Sequence, residues 1–409
     1  MTAPTYTAAA RGRSNSLATV SIQRRWRDAL RIWWSEIDKV LLALIVTLMA
    51  VGIVAVAAAS PASADQLSTA TVTLDEFMFF KRHIVFQLMG LTLMIGLSFA
   101  SRDQARRIGI LVGAIMLALM FLVPIIGEEK NGARRWINFG MSLQPSEFLK
   151  PGFAIICAWI LSWRLRDPGL PVILYVSALM ALIAGLLMAQ PNLGDAILFA
   201  GIWLVMVLLA GIPWQRIGAV IALGTGALTL AYFFYDNARH RIDGFLGGGT
   251  AFDQVDLAQR TLTAGGWTGS GLWLGIRKMN LPEAHTDYIF SVIGEEFGLI
   301  ICALIVLLYC GLVLRALMRL VNEDNLFALL AGAGLITQFG GQAFINILVN
   351  LKLFPSKGMT LPLISYGGSS TLAVCFTLGL LLAITRRNPF LAREGGGLRG
   401  LIDRKEERA

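Results

Sequence analysis

Charge is what this chain has least of. Asp, Glu, Lys and Arg make up 15% of its 409 residues, against about a quarter in a soluble domain. That shortfall excludes an ordinary water-facing globular surface. Histidine is nearly absent: His83, His240 and His285 stand far apart and form no metal-ligand motif. The four cysteines, Cys157, Cys302, Cys310 and Cys375, all fall in apolar runs. They read as small packing residues, and a disulfide framework is excluded. Apolar–polar alternation over short strands is missing, which argues against a transmembrane β-barrel. No repeat of fixed period is visible.

What the chain has in abundance is apolar sequence, at 56% of residues and a mean hydropathy of +0.66. Val40–Ala59 is twenty residues without a charge, enough at about 1.5 Å per residue to cross a hydrocarbon core of about 30 Å. Similar runs lie at 84–100, 108–126, 148–163, 170–189, 195–212, 217–235, 288–314, 326–349 and 361–385. Runs of this length disfavour a soluble bundle. They predict an all-α membrane protein, a polytopic bundle of ten transmembrane helices, because backbone groups in lipid must be satisfied within each helix. A membrane domain of 38–387 then lies between basic cytoplasmic tails at 1–37 and 388–409. Segment 236–286 becomes a large extracytoplasmic loop between spans seven and eight. With the N-terminus inside, 22 of 35 Lys and Arg fall on the cytoplasmic side, in keeping with the positive-inside rule. The formal charge of +9 gathers at span ends and suits anionic lipid head groups, with no need of nucleic acid. Arg24-Arg25-Trp26-Arg27 followed by Trp33-Trp34 reads as a basic interfacial helix. The first apolar run is too long for a cleaved signal.

Four outward segments hold most of the remaining polar residues. In Glu128–Lys150, Arg134, Arg135 and Trp136 precede a helix opened by Pro145-Ser146-Glu147. Ser146 is a candidate N-cap there, and Glu147 and Lys150, three apart, share one helix face. Gln190–Asp195 is a Pro/Gly turn, and Asp195 facing lipid would be costly, so it is expected to face inward. The loop Asp236–Thr286 is far longer than usual connections. Its glycines at 265–271 favour tight turning over nucleotide binding, because Leu274 breaks the dinucleotide pattern and no Walker lysine follows. The loop closes on His285-Thr286-Asp287, with Glu295 and Glu296 about two turns further on. Finally, Asn350–Ser370 is broken by Pro and Gly, and non-helical backbone at membrane depth must line a cavity or be buried in protein. Lys357 would aim a cation into that cavity. Cations and helix N-termini are what a phosphate needs, so the outward excess of Lys and Arg fits an anionic, lipid-anchored substrate.

The strings NGARRWINFG…QPSEFLKPG, PEAHTDYIFSVIGEEFG and KGMTLPLISYGGSS resemble the FtsW/RodA (SEDS) family of bacterial cell-wall polymerases, over essentially all ten runs. The last string and the long basic N-terminal tail look more like the division (FtsW) branch. The resemblance implies a peptidoglycan glycosyltransferase that polymerises lipid II at the septum, in the bacterial inner membrane. It implies a class B penicillin-binding (FtsI-like) transpeptidase and other divisome membrane proteins as partners. The essential aspartate of the family maps onto Asp287. Substrate-binding positions map onto or surround Arg135, Trp136, Glu147, Lys150, His285, Glu295, Glu296 and Lys357. No organic cofactor is implied, and a divalent cation, Mg2+ or Mn2+, with unknown ligands, would suit the leaving pyrophosphate. The chain departs from the family where QPDxG is usual: it carries Asn192, and Asp195 is the nearest replacement carboxylate. Lys352 stands where the family tends to have Gly.

This inventory suits glycosyl transfer from a lipid pyrophosphate. The attacking sugar hydroxyl needs a general base, for which one carboxylate serves. The leaving group is already a weak base, so it needs positive charge rather than a paired acid. A lipid II flippase or transporter is the rival, but its site belongs near the bilayer midplane in repeated halves. A structural divisome scaffold would leave the outward charge without a purpose.

Overall fold

The computed structural model describes residues 27–69, 73–130, 133–138, 140, 142–165, 167, 169–211, 254–356 and 358–387, with scattered positions between 218 and 243. The chain divides into two units, 1–39 with 386–409, and 40–385. In the first, helix α1 (27–36) carries Trp33 and Trp34. Lys39 Nζ lies 5.3 Å from the Trp34 ring centre, and Glu36 holds Arg386 at 3.0 Å. Paired tryptophans beside basic side chains are the composition of an interfacial helix.

The second unit is a helical bundle. Its elements are α2 (Lys39–Leu67), α3 (Met78–Ser98), α4 (Arg102–Ile126), three short strands, α5 (Pro145–Ser162), α6 (Val172–Ala189), α7 (Leu193–Leu209), α8 (Gln254–Ala264), α9 (Ile289–Leu320), α10 (Leu326–Asn350) and α11 (Gly368–Thr385). Eight of these, α2 to α6 and α9 to α11, are long and apolar enough to cross a membrane; α7, with 17 residues, is apolar but shorter. The expected span at 217–235 lies largely outside the described residues.

Local sequence sets the helix ends. Ser101 caps α4 in a full capping box with Gln104, and Asn325 caps α10 through the Ala328 amide. Pro145 occupies the first turn of α5, where its missing N–H costs nothing. The N-cap of α5 is Gln144, so the expected cap, Ser146, sits inside the first turn and turns its hydroxyl elsewhere. Span ten also starts later than its apolar run suggests: 361–367 is turn, and the helix begins at Gly368.

Strands β1 (Glu128–Lys130), β2 (Ala133–Asn138) and β3 (Ser142–Leu143) form an antiparallel three-stranded sheet. This corrects the all-α expectation. The strands are too short to show a period-2 pattern, and β2 has only two buried positions, Ala133 and Ile137. Helix α11 is the core of the bundle, with 94% of its most apolar window buried, and it packs on α3, α5 and α10. Helices α4 and α5 touch at Gly113 and Gly152, where a Cβ on Gly152 would lie 2.4 Å from the Gly113 Cα. Small residues permit that backbone approach.

Candidate active site

Asp287 sits at the end of the turn before α9, and its backbone is held at three successive carbonyls. The His285 carbonyl accepts the Tyr366 N–H at 2.9 Å. The Thr286 carbonyl accepts the Ser365 hydroxyl. The Asp287 carbonyl accepts Nδ2 of Asn346 at 2.8 Å and of Asn350 at 3.1 Å. The turn is therefore fixed from two sides, by the 361–367 segment and by the end of α10.

From this position Asp287 lines a cavity of about 400 Å³ together with Arg135, Trp136, Glu147, Glu283, Ser356, Gly358, Thr360 and Tyr366. Asp287 and Arg135 converge on Gly358. A Cβ added there would lie 3.5 Å from Asp287 Oδ2 and 3.9 Å from Arg135 Nη1. Arg135 also reaches the turn before α7: its Nε donates to the Gln190 carbonyl at 3.1 Å and its Nη2 to that of Pro191. The Pro/Gly-broken segment forms a cavity wall through Ser356, Gly358, Thr360 and Gly367. Lys357 lies outside the described residues.

Behind the wall, Lys150 is fully buried and does not line the cavity. Its ammonium is 2.8 Å from Glu147 Oε1 and 2.9 Å from Asp195 Oδ1, with Gln342 Oε1 at 3.4 Å. Asp195 Oδ2 accepts the Ser146 hydroxyl at 2.8 Å and Asn192 Nδ2 at 2.7 Å. A buried ammonium needs such partners, since an unpaired charge there would be prohibitive. Asp195 thus faces inward, as its cost in lipid demands. The geometry also accounts for Asn192. Its Oδ1 caps α7 by accepting the Asp195 N–H, while its Nδ2 donates to the Asp195 carboxylate. An aspartate at 192 could do the first but not the second, because an ionised carboxylate only accepts.

Besides Lys150, three more of the expected site residues do not line this cavity. Glu295 and Glu296 do not line the cavity. Glu295 accepts the backbone N–H groups of Arg277 and Lys278 at 2.7 and 2.8 Å. Glu296 accepts those of Trp273 and Gly275 and pairs with the buried Lys278 ammonium. Both carboxylates bind the loop to α9. Gly298, at φ 83°, breaks α9 at that point, and the loop backbone bonds directly across the break, from Ser270 N to Glu295 O at 2.8 Å and from Leu299 N to Gly266 O at 3.0 Å. The outer side of this loop exposes Trp267, Trp273, Leu274 and Ile276. His285 is the third: it packs against Phe79 with ring centres 4.2 Å apart. Burial pushes its imidazole down to about 4, so it is neutral near pH 7. Lys352, the unexplained outward cation, pairs with Asp256 of α8.

The charge balance also differs from the expected cationic pocket. Among the described residues, the cavity wall carries one cation, Arg135, against Glu147, Glu283 and Asp287. The sequence reading missed Asn346, Asn350 and Ser365. The available signal was a run of carboxamides at four-residue spacing in one apolar helix, Gln338, Gln342, Asn346 and Asn350. Such groups are costly in a membrane helix unless each finds a partner.

A polytopic helical membrane protein with a polar cavity at one end of its bundle is the class these features define. The comparisons narrow it. The profile of the cell cycle protein family that groups FtsW, RodA and SpoVE matches residues 38–389, and the chain belongs to that family. A probable peptidoglycan glycosyltransferase FtsW of Caulobacter vibrioides is 35% identical over 376 residues, covering 91% of this chain and 95% of that protein. The protein of the same description from Halorhodospira halophila is 35% identical over 364 residues, covering 85% and 90%. Among solved structures, one chain of a peptidoglycan synthase complex that coordinates polymerization and crosslinking has a TM-score of 0.69 at 28% identity, covering 85% of this chain and 97% of that one. The rod shape determining protein RodA of Thermus thermophilus has a TM-score of 0.63 at 27% identity, covering 87% and 99%.

Proposed function

We propose that this chain is a peptidoglycan glycosyltransferase that polymerises lipid II into glycan strands at the division septum. It crosses the bacterial inner membrane ten times, with both tails, 1–37 and 388–409, in the cytoplasm. The cavity faces the periplasm, and 236–286 is the large periplasmic loop between spans seven and eight. A class B penicillin-binding transpeptidase and other divisome membrane proteins are its partners, by analogy with the synthase complex that it resembles.

The observation that carries this reading is the convergence of Asp287 and Arg135 beside Gly358 on one cavity wall. Asp287 is the general base. Its carboxylate takes the proton of the acceptor sugar 4-hydroxyl as that oxygen bonds to the donor anomeric carbon. The bond from that carbon to the pyrophosphate breaks, and its electron pair leaves with undecaprenyl pyrophosphate. A single displacement inverts the anomeric centre. Arg135 supplies positive charge to the departing phosphate, and Lys357 adds a second cation. Trp136 offers a flat face to a sugar ring. Lys150, held by Glu147 and Asp195, keeps the wall behind Arg135 in register.

Among the described residues, no three His, Cys, Asp or Glu side chains gather so as to hold a metal. Mg2+ or Mn2+ is proposed only as a companion of the pyrophosphate, since Mg2+ commonly relies on one or two carboxylates plus substrate phosphates. Purified protein with its transpeptidase partner, supplied with lipid II, tests the reading. Wild type is expected to make polymer and a folded Asp287→Ala variant none. Normal synthesis by that variant removes Asp287 from the mechanism, and lipid II scrambling without polymer by wild type favours a flippase.

A further inference from the structure

We propose that Asn346 and Asn350 are positioning residues for the transfer: their amides grip the Asp287 carbonyl and set where its carboxylate stands in the cavity. The inference rests on reading Asp287 as the base.

Both side chains are buried, at 2% and 0% exposure, in a helix apolar enough to span a membrane. Each must hydrogen-bond to justify its place there. Their partners are specific backbone atoms of the cavity wall. Asn346 Nδ2 donates to the Asp287 carbonyl at 2.8 Å and to the Met359 carbonyl at 2.7 Å. A single amino group thus ties together the two strands of chain that carry Asp287 and Gly358, the points between which the carboxylate and Arg135 meet. Asn350 acts on the other side of the same residue. Its Nδ2 donates to the Asp287 carbonyl at 3.1 Å. Its Oδ1 accepts the Ser291 N–H at 3.1 Å and the Ser291 hydroxyl at 2.7 Å.

That second contact has a clear need. The first-turn N–H groups of a helix lack partners one full helical turn back, and the N-cap of α9, Tyr288, supplies no side-chain capping bond. Asn350 thus adds a side-chain acceptor from another helix to the Ser291 N–H, which also reaches the Tyr288 carbonyl at 3.0 Å, while it holds Asp287, two residues before that helix. One turn further along α10, Gln342 Nε2 donates to the Thr360 carbonyl at 3.1 Å, and its Oε1 faces Lys150. The same face of α10 thus sets the Asp287 turn, the Met359–Thr360 segment and the buried lysine against one another.

A general base must stand within hydrogen-bond reach of its proton, and a misplacement of about 1 Å can cost on the order of 10²-fold in rate. The test is the initial rate of polymerisation against lipid II concentration for Asn346→Leu, Asn350→Leu and the double variant. Each removes the amide while keeping the same branched set of four side-chain heavy atoms. The double variant is expected to lose on the order of 10²-fold in kcat with KM for lipid II unchanged, and with wild-type helicity and transpeptidase binding. A wild-type kcat, or a loss carried by KM alone, overturns the proposal. Should the double variant fail to fold, Asn346→Gln carries the test, because it keeps both donors on a longer arm. A reduced kcat in that folded variant supports the proposal, and an unchanged one overturns it. An inactive Asp287→Ala beside a fully active double variant overturns this inference alone; an active Asp287→Ala overturns the base assignment with it.

Discussion

Asp287 and the pair Glu295–Glu296 are carboxylates only about two turns apart, yet they face opposite tasks. Asp287 ends a turn whose backbone is held from two sides, and it lies on a cavity wall. Glu295 and Glu296 have their side chains engaged by backbone N–H groups and a buried lysine, and they do not line that cavity. The difference lies in what satisfies the acid. A carboxylate whose oxygens accept loop N–H groups and a buried ammonium is a structural clamp, whereas Asp287 is carried to a cavity wall by the backbone that is clamped around it.

Substitutions should separate the two kinds. Asp287→Ala is expected to abolish polymerisation while leaving the unfolding temperature of the purified protein nearly unchanged. Glu296→Ala should do the reverse. It leaves Lys278, 2% exposed, as a buried ammonium without its counter-ion, at a cost of about 3–5 kcal/mol in stability. Any loss of activity there should follow loss of folded protein. A matched fall in activity at full stability would return Glu296 to the site.

A smaller effect concerns His285. Its pKa is lowered to about 4 by burial, below the ordinary 6.5, so the unfolded chain binds the proton more readily. Stability from this group is full above about pH 6.5 and falls as pH drops towards 4, by about 3 kcal/mol in all. The slope of unfolding temperature against pH in wild type and His285→Phe measures it; equal slopes would contradict it. Asn192→Asp should cost about 1–3 kcal/mol, because it removes the donor to Asp195 and sets two carboxylates together in a buried cluster. An unchanged unfolding temperature would mean that Asp195 does not depend on Asn192. The exposed pair Arg134–Glu129, at 3.4 Å with both side chains more than half exposed, supplies the baseline. Breaking it should shift stability by less than about 1 kcal/mol.

Much of this was legible in sequence, for reasons that differ by residue. Apolar length placed the spanning helices, and three-residue spacing placed Glu147 beside Lys150. The cost of a carboxylate in lipid turned Asp195 inward. The Asp287 turn was found because its acid sits where a loop meets an apolar run. What stayed hidden depends on pairings across long stretches of chain. Asn346 and Asn350 meet Asp287 from 59 and 63 residues away, and nothing local in α10 names that partner. Proximity along the chain did not reveal that Glu295 and Glu296 bond the facing loop, since direction around a helix and the path of that loop decide which surface an acid meets. The small sheet was missed because its strands are too short to outvote their surroundings.

The break in α9 at Gly298 has a mechanical side. The loop backbone is bonded across it, and Glu295, Glu296 and Lys278 lash the rest of the loop to the same helical segment. Loop and helix start are therefore joined as one packed piece, with Asp287 near one end and exposed Trp267, Trp273, Leu274 and Ile276 along the other, and the loop is tied to α2 as well, by Trp273 Nε1 to the Ala57 carbonyl at 3.1 Å and Lys278 Nζ to the Ala58 carbonyl at 2.9 Å. Because close-packed parts transmit strain, a load on that apolar edge is shared between α2 and the helical segment that begins beside the acid.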